Sequence, residues 1–294
     1  MLLILIRGIY LILMCASFKT KEERKKKMKK GKDTLGDRMK ENYENRAKTY
    51  LLRRVPVALR IDGRAFSSFT KRLKKPYDEI FHNAMNDTLK YLCENIQGCK
   101  LGYTQSDEIT LLLSDFDTLT TDAWFDYSVA KLCSVSASMA TLAFNKAFAK
   151  YSKDTLRRIN NCFTCSQEEA DYAEALERCI EKGAMFDSRC FNIPESEVVN
   201  MFLWRENDCT RNAVQMLGQC HFSHKELDGL NQNEVQEMLF TQKGINFNNM
   251  PAEFKRGVCC IKNEDGKWVL DKEIPIFSQN RAYIENTFLP PKEE

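Results

Sequence analysis

Gly98-Cys-Lys-Leu-Gly-Tyr-Thr-Gln-Ser-Asp-Glu-Ile-Thr-Leu-Leu-Leu113 is the stretch that decides the fold. Gly98 to Gly102 opens one strand. Ile109 to Leu113, rich in branched and long apolar side chains, forms the next. The polar residues Thr104 to Asp107 join them tightly enough for a β-hairpin. Upstream, Val55 to Ile61 predicts a short strand, with Pro56 near its start where a missing N–H is tolerated and Asp62-Gly63 at its end. Between them, Asp78 to Glu94 places Phe81, Met85, Leu89 and Leu92 at helical spacing.

Downstream, Trp124 to Phe148 reads as a long helix whose small residues Ser134, Ala137, Ser138 and Thr141 suit close packing on a sheet. Glu168 to Lys182 reads as a shorter helix, Met185 to Phe191 as a fourth strand stopped by Pro194, and Glu195 to Leu217 as another helix. The order β-α-β-β-α-(insert)-β predicts an α+β chain. It is a split βαβ, ferredoxin-like antiparallel sheet with two helices on one face. Residues 34–220 form this domain, opening with a polar helix over Thr34 to Arg54. Residues 221–294 form a C-terminal elaboration, with a helix at Asn233 to Phe240 and a hairpin of Val258 to Ile261 with Lys267 to Leu270.

In that topology the first and third strands are central, adjacent and antiparallel, so the end of one abuts the start of the other. Asp62 and Asp107 become neighbours across 44 intervening residues, with Glu108 beside them. Clustered carboxylates repel one another, and a cation offsets the repulsion. Mg²⁺ takes oxygen ligands and needs only one or two carboxylates plus phosphate oxygens. Two such ions about 3.5–4 Å apart can clamp an attacking and a leaving oxygen. Gly63, without a Cβ, allows close backbone approach, and its carbonyl can serve as a further ligand.

Basic residues stand nearby. Arg60, two before Asp62, points to the same sheet face. Lys71, Arg72, Lys74 and Lys75 follow in the crossover. Arg189, inside a strand that otherwise reads as core, needs an anionic partner. No Walker-type loop is present, so a triphosphate here is not held in the P-loop manner. Asp-Gly and Ser-Asp-Glu are also ordinary turn chemistry; their placement on adjacent strand ends favours the site.

The chain of 294 residues is 43 % hydrophobic and 29 % charged, as a folded globular protein is. With 44 basic against 41 acidic residues, strong global steering toward nucleic acid is excluded, but a local basic surface is not. The twelve cysteines read as reduced thiols, which suits the cytoplasm. Cys162 and Cys165 form a CxxC, and Cys220, His221 and His224 a second cluster, in spacings that match no standard zinc pattern. Met1 to Ala16 is apolar but shorter than the roughly 20 residues of a membrane span. A basic run, Lys21 to Lys32, follows it. Residues 1–33 read as a leader outside the fold, with a polybasic anchor or a nucleic-acid-binding arm as alternatives.

Several stretches together resemble the tRNA(His) guanylyltransferase superfamily, and within it the Thg1-like branch of 3′-to-5′ polymerases. They are Arg60-Ile-Asp-Gly-Arg-x-Phe66, Lys75-Pro-x-Asp78, Tyr103-Thr-Gln-Ser-Asp-Glu108, Phe186-Asp-Ser-Arg189, Trp204-Arg-x-x-Asp-Cys209, Gly244-Ile-Asn-Phe-Asn-Asn-Met-Pro251 and Lys255-Arg-Gly257. The resemblance covers roughly residues 34 to 260. It implies a polymerase palm-like fold and a two-Mg²⁺ centre ligated by Asp62, Asp107 and the Gly63 carbonyl. Glu108 takes a supporting catalytic role, and Lys75 and Ser106 touch the activating nucleotide. Arg60, Arg64, Asp78 and Lys131 carry over as nucleotide contacts or pocket residues. ATP and GTP are the implied substrates and tRNA the partner, in a homotetramer. A triphosphate first caps the RNA 5′-monophosphate. The 3′-hydroxyl of an incoming nucleotide then attacks that phosphate.

One segment departs from the pattern. Members that add G to tRNA(His) carry His-Ile-Asn-Asn-Leu-Tyr-Asn after the Asp-Cys pair. Here Asp208-Cys209 is followed by Thr-Arg-Asn-Ala-Val-Gln-Met216, which keeps only Asn212. That favours template-dependent repair of 5′-truncated tRNA over dedicated addition of G at position −1. The rival classes are a palm-type cyclase or conventional polymerase, and a non-catalytic RNA-binding protein.

Overall fold

The computed structural model describes residues 34–162 and 164–288. The expected leader, residues 1–33, lies outside them. Residues 34–48 form a small unit of their own. Its helix α1 (Leu35–Asn42) is capped by the Thr34 hydroxyl, which accepts from the Asp37 N–H, and a 3₁₀ turn (Glu44–Ala47) follows. The polar helix expected to reach Arg54 therefore ends twelve residues early.

The rest is one α+β unit. Its main elements are β1 (Val57–Gly63), α2 (Glu79–Asn95), β2 (Cys99–Gln105), β3 (Glu108–Leu113), α3 (Val129–Asn160), α4 (Gln167–Lys182), β4 (Phe186–Asn192), α5 (Glu195–His221), α6 (Gln232–Lys243), β5 (Val258–Lys262) and β6 (Trp268–Asp271), with short helical turns between them. The sheet order is β4-β1-β3-β2-β5-β6, and every neighbouring pair is antiparallel. The first four strands are the expected split βαβ. The C-terminal hairpin, read as an elaboration, adds two strands to the β2 edge. Gly257 makes that join possible: a Cβ there would sit 2.4 Å from the Thr104 carbonyl oxygen, and its φ is +85°.

Strand periodicity sorts the residues of β1. Val57, Leu59 and Ile61 face one way, with Ile109, Leu111 and Leu113 of β3, and are sealed by Leu89 and Leu92 of α2 and Phe144 of α3. Ala58 faces the other way with Leu101 and Leu112, under Val198 and Phe202 of α5 and the C-terminal Ile274, Phe277 and Ile284. A third cluster joins the far end of α5 (Ala213, Val214, Leu217) to Val235 and Leu239 of α6.

Two details depart from the sequence reading. β1 begins and ends two residues later than expected, because Asp62 and Gly63 still pair with their neighbours on β3 or β4. Helix α3 runs twelve residues past Phe148, and no Gly or Pro interrupts residues 129–160. The small residues it buries are Ser136, Ala140, Ala147 and Ser152, whereas Ser134 and Ser138 are exposed. Among the described residues no helix is long and apolar enough to cross a membrane, and every cysteine is a free thiol.

Candidate active site

β1 and β3 bring the acids together as their antiparallel register requires. Asp62 lies opposite Glu108 on β3 and opposite Asp187 on β4. The Gly63 N–H donates to the Asp107 carbonyl at 3.0 Å, fixing the end of β1 against the two-residue turn Ser106-Asp107. Ser106 adopts φ +50°, a conformation rarely used by a residue with a Cβ. Its hydroxyl donates to Asp107 Oδ1 at 3.0 Å.

The three acids sit in different fields. Burial, followed by the charges of Glu108 and Asp187, pushes the Asp62 carboxyl above the ordinary range against the pull of Arg189 and Arg60. Burial also raises Asp107, opposed by its bond from Ser106 and reinforced by Asp62 and Glu108. Glu108 is buried and doubly held. Arg60 reaches its Oε2 at 2.6 Å, and Arg205 Nη1 lies 3.0 and 3.2 Å from its two oxygens. Arg205 also reaches Asp208 at 3.4 Å.

Arg205 is the residue that sequence reasoning missed. It lies 97 positions from its partner. The signal available was the Arg205–Asp208 spacing of one helical turn within Trp204-Arg-x-x-Asp-Cys209. Arg189, expected to need an anion, pairs with Asp187 at 3.1 Å and with Asp62 at 3.8 Å.

A cavity of ≈ 500 Å³ opens beside the turn. Gly63, Phe66, Lys75, Tyr77, Ser106 and Asp107 line it on one side, and Cys209, Asn212, Ala213 and Met216 of α5 on the other. Tyr77 stacks on Phe254 with ring centroids 4.2 Å apart. Gly63 is required here for a reason other than metal approach. A Cβ would fall 2.4 Å from the Phe66 ring, whose packing under Phe69, Phe81, Phe144 and Phe186 shapes the cavity floor.

The remaining expected residues divide. Asp78 lines the cavity, but its carboxylate is already committed. It caps α2 by accepting from the Phe81 N–H at 2.9 Å, and it accepts from the Lys74 N–H at 3.1 Å and the Tyr172 hydroxyl at 2.7 Å. It therefore shapes the loop that carries Lys75. Arg60 does not line the cavity, since Glu108 and the Trp204 ring hold it. Arg64 and Lys131 are exposed and lie outside the lining. In the Lys255-Arg-Gly257 motif, Lys255 Nζ donates to the Asn248 carbonyl and the Arg256 guanidinium to that of Ile274, so both are engaged.

Among the described residues no three or more His, Cys, Asp or Glu side chains converge as a complete metal shell. Two carboxylates raised by burial and mutual repulsion still suit a hard cation that draws its other oxygens from backbone and phosphate. Mg²⁺ fits Asp62 and Asp107 on those terms.

The Thg1 family profile, tRNAHis guanylyltransferase, matches residues 36–194. An uncharacterised protein of Acanthamoeba polyphaga mimivirus is 30 % identical over 270 residues, 85 % of this chain and 86 % of that one. The tRNA(His) guanylyltransferase of Saccharomyces cerevisiae is 29 % identical over 215 residues, covering 68 % of this chain and 80 % of its own length. Among solved structures, a bacterial tRNA(His) guanylyltransferase (Thg1)-like protein in complex with ATP superposes with a TM-score of 0.74 at 39 % identity, covering 87 % of this chain and 99 % of that one. A bacterial Thg1-like protein in complex with GTP superposes at 0.67 with 35 % identity, covering 87 % and 100 %. Fold, motifs and relatives agree, and this chain belongs to the tRNA(His) guanylyltransferase family of nucleotidyltransferases.

Proposed function

We propose that this protein is a template-dependent 3′-to-5′ nucleotidyltransferase that adds nucleotides to the 5′ end of truncated tRNA. The observation that carries the reading is the composition of the cavity wall. Ala213 and Met216, which line it from α5 beside the retained Asn212, are positions at which the segment departs from the G-adding pattern. The difference therefore falls where a substrate would be chosen. The bacterial Thg1-like relatives were solved with ATP and with GTP, which supports both as substrates.

In this reading the cavity takes the activating triphosphate. Lys75 offers its ammonium to the phosphates, and Ser106, strained into place, holds Asp107 toward them. A 5′-phosphate oxygen of the RNA attacks the α-phosphorus of ATP or GTP and expels pyrophosphate. The 3′-hydroxyl of the incoming nucleotide then attacks the capped 5′ phosphorus, loses its proton and expels the nucleoside monophosphate. Mg²⁺, held by Asp62, Asp107 and the Gly63 carbonyl, would supply charge neutralisation at the phosphates. Glu108 acts from behind: clamped by Arg60 and Arg205, it fixes the start of β3 and hence the Asp107 turn. A homotetramer acting on tRNA in the cytoplasm completes the reading.

The test supplies a tRNA lacking its first nucleotide, all four NTPs and Mg²⁺, and maps the 5′ end. Extension that follows the opposite strand is expected. Addition of a single G regardless of that strand returns the protein to the tRNA(His) activity named for its yeast relative. Growth at the 3′ end or cyclic products overturn 5′ chemistry altogether.

A further inference from the structure

Trp204 is 52 % exposed, on a helix whose neighbouring residues Phe202 and Arg205 are buried. Its inner side is occupied. The Arg205 guanidinium lies 3.5 Å from the ring centroid and that of Arg60 5.2 Å. These are the two arginines that clamp Glu108. The indole therefore roofs an ion cluster, and more than half of its surface is open to solvent.

Its position is what gives that openness a use. Arg60 and Asp62 stand two residues apart on one face of β1, a separation of about 7 Å along a strand. Helix α5 covers Ala58, Leu101 and Leu112 on this face. It leaves the Asp62 end of β1 and β4 uncovered, so that Asp62, Asp187 and Arg189 form a shelf with side chains 38 %, 55 % and 53 % exposed. Neither Trp204 nor any of the shelf residues lines the triphosphate cavity, which is reached past Asp107. The carboxylate pair thus has two approaches, one from the cavity through Asp107 and one from the shelf through Asp62. The reaction needs two: an activating nucleotide and a nucleic-acid 5′ end.

We infer that the shelf seats the RNA 5′ end and that the open face of Trp204 stacks on its terminal nucleobase. This rests on the reading of the chain as a 5′-end nucleotidyltransferase. Arg189 is the exposed cation nearest Asp62 on the shelf, placed to meet a 5′ phosphate. Stacking suits the task because every base has a π-face, so a platform holds the strand end without reading its sequence. An enzyme that copies an opposite strand needs that indifference.

The experiment compares wild type with Trp204→Leu, which keeps an apolar roof, and Trp204→Phe, which keeps a ring. The substrates are a 5′-monophosphorylated tRNA lacking its first nucleotide and the same tRNA made abasic at its 5′-terminal residue. With the intact tRNA, Trp204→Leu raises the KM for RNA about 5- to 150-fold, the range of one base–aromatic stack. The KM for ATP does not move, and Trp204→Phe stays near wild type. With the abasic tRNA, wild type and Trp204→Leu have the same KM. A Leu variant that loses equally on both RNAs, or loses kcat alone, makes Trp204 only the roof of the ion cluster and overturns the inference.

A binding measurement separates this from the reaction itself. The truncated tRNA, without NTPs, protects a fraction of the tryptophan fluorescence from acrylamide in wild type, and that fraction is missing in Trp204→Phe. No protection overturns the platform. If protection is seen but wild type extends no 5′ end, the platform stands and the reading of the reaction falls.

Discussion

The two faces of the sheet are built from the same strands and do opposite work. On the α2–α3 side, Val57, Leu59, Ile61, Ile109 and Leu111 are fully buried among Leu89, Leu92 and Phe144. At these β1 and β3 positions that face is hydrocarbon, with a Ser136–Ser188 hydrogen bond reaching it only at β4, and its stability follows from area removed from water. One residue along, the alternate positions of β1 and β3 pass from apolar Ala58 and Leu112 to Arg60, Thr110, Asp62 and Glu108. There α5 covers a clamped ion cluster and then leaves the sheet end open. The apolar face makes the central strands rigid, and the polar face borrows that rigidity to keep two raised carboxylates adjacent. Asp62 is placed by strand period, with no loop needed to present it, whereas Asp107 is presented by the Ser106-Asp107 turn.

The largest expected effect of separating the faces is on activity. Asp107→Asn removes a charge toward the cavity and leaves the shape, so nucleotide addition falls by roughly 10²- to 10⁴-fold, the several kcal/mol assigned to charge stabilisation at a phosphoryl centre. The fold does not suffer, because a carboxylate that burial disfavours has been neutralised. Single-turnover assays and a urea melt check both halves. A variant that loses activity by unfolding breaks the contrast.

Next is Arg205→Leu, which strips one guanidinium from buried Glu108. Breaking a buried pair from one side costs about 3–5 kcal/mol. Activity falls as well, because Glu108 no longer fixes the turn. Leu59→Ala, on the other face, costs roughly 2–5 kcal/mol as a core cavity but leaves KM for the nucleotide unchanged below the melting range. If both variants shift KM alike, the division of labour is wrong. Gly63→Ala lies between the faces. Its Cβ drives into the Phe66 ring, and overpacking of this kind costs about 1–3 kcal/mol, read as a lower denaturant midpoint.

How much of this was legible in the sequence follows the same division. The helix and strand periods of Phe81, Met85, Leu89 and of residues 55–61 are local, and they suffice for the split βαβ. The meeting of Asp62 with Asp107 followed from topology, because antiparallel central strands leave no other arrangement. Arg189 does have acidic partners, but not for the reason read from the sequence: β4 is an edge strand and the Arg189 side chain is 53 % exposed, so no core burial demands them. Arg205 on Glu108 was not, since nothing local ties positions 97 apart. The docking of β5 on β2 likewise depends on a register between distant segments. Lys131 shows the converse: a residue carried over by motif alone stands exposed, outside the cavity lining. At Gly63, read from the sequence as a place for close backbone approach, the demand seen in the structure comes from the Phe66 ring.

The smallest effect expected is a linkage between protons, cation and stability at the polar face. Asp62 and Asp107 both have carboxyls raised in the folded chain, burial being the first cause in each. A carboxyl raised on folding binds its proton more tightly in the native state, so the charged form costs stability above the folded pKa. That cost is relieved as pH falls toward the ordinary carboxylate range. Without divalent cation, the melting temperature of wild type should therefore rise modestly relative to Asp62→Asn/Asp107→Asn as pH is lowered from neutral toward the carboxylate range. Mg²⁺ at neutral pH should produce the same rise, because a cation held between the acids does what protons do and binds only the native state. The double variant should lose both responses. A wild type whose melting temperature ignores Mg²⁺ while the enzyme remains active with it would mean that the ion arrives only with the triphosphate, and that the two carboxylates tolerate each other unaided.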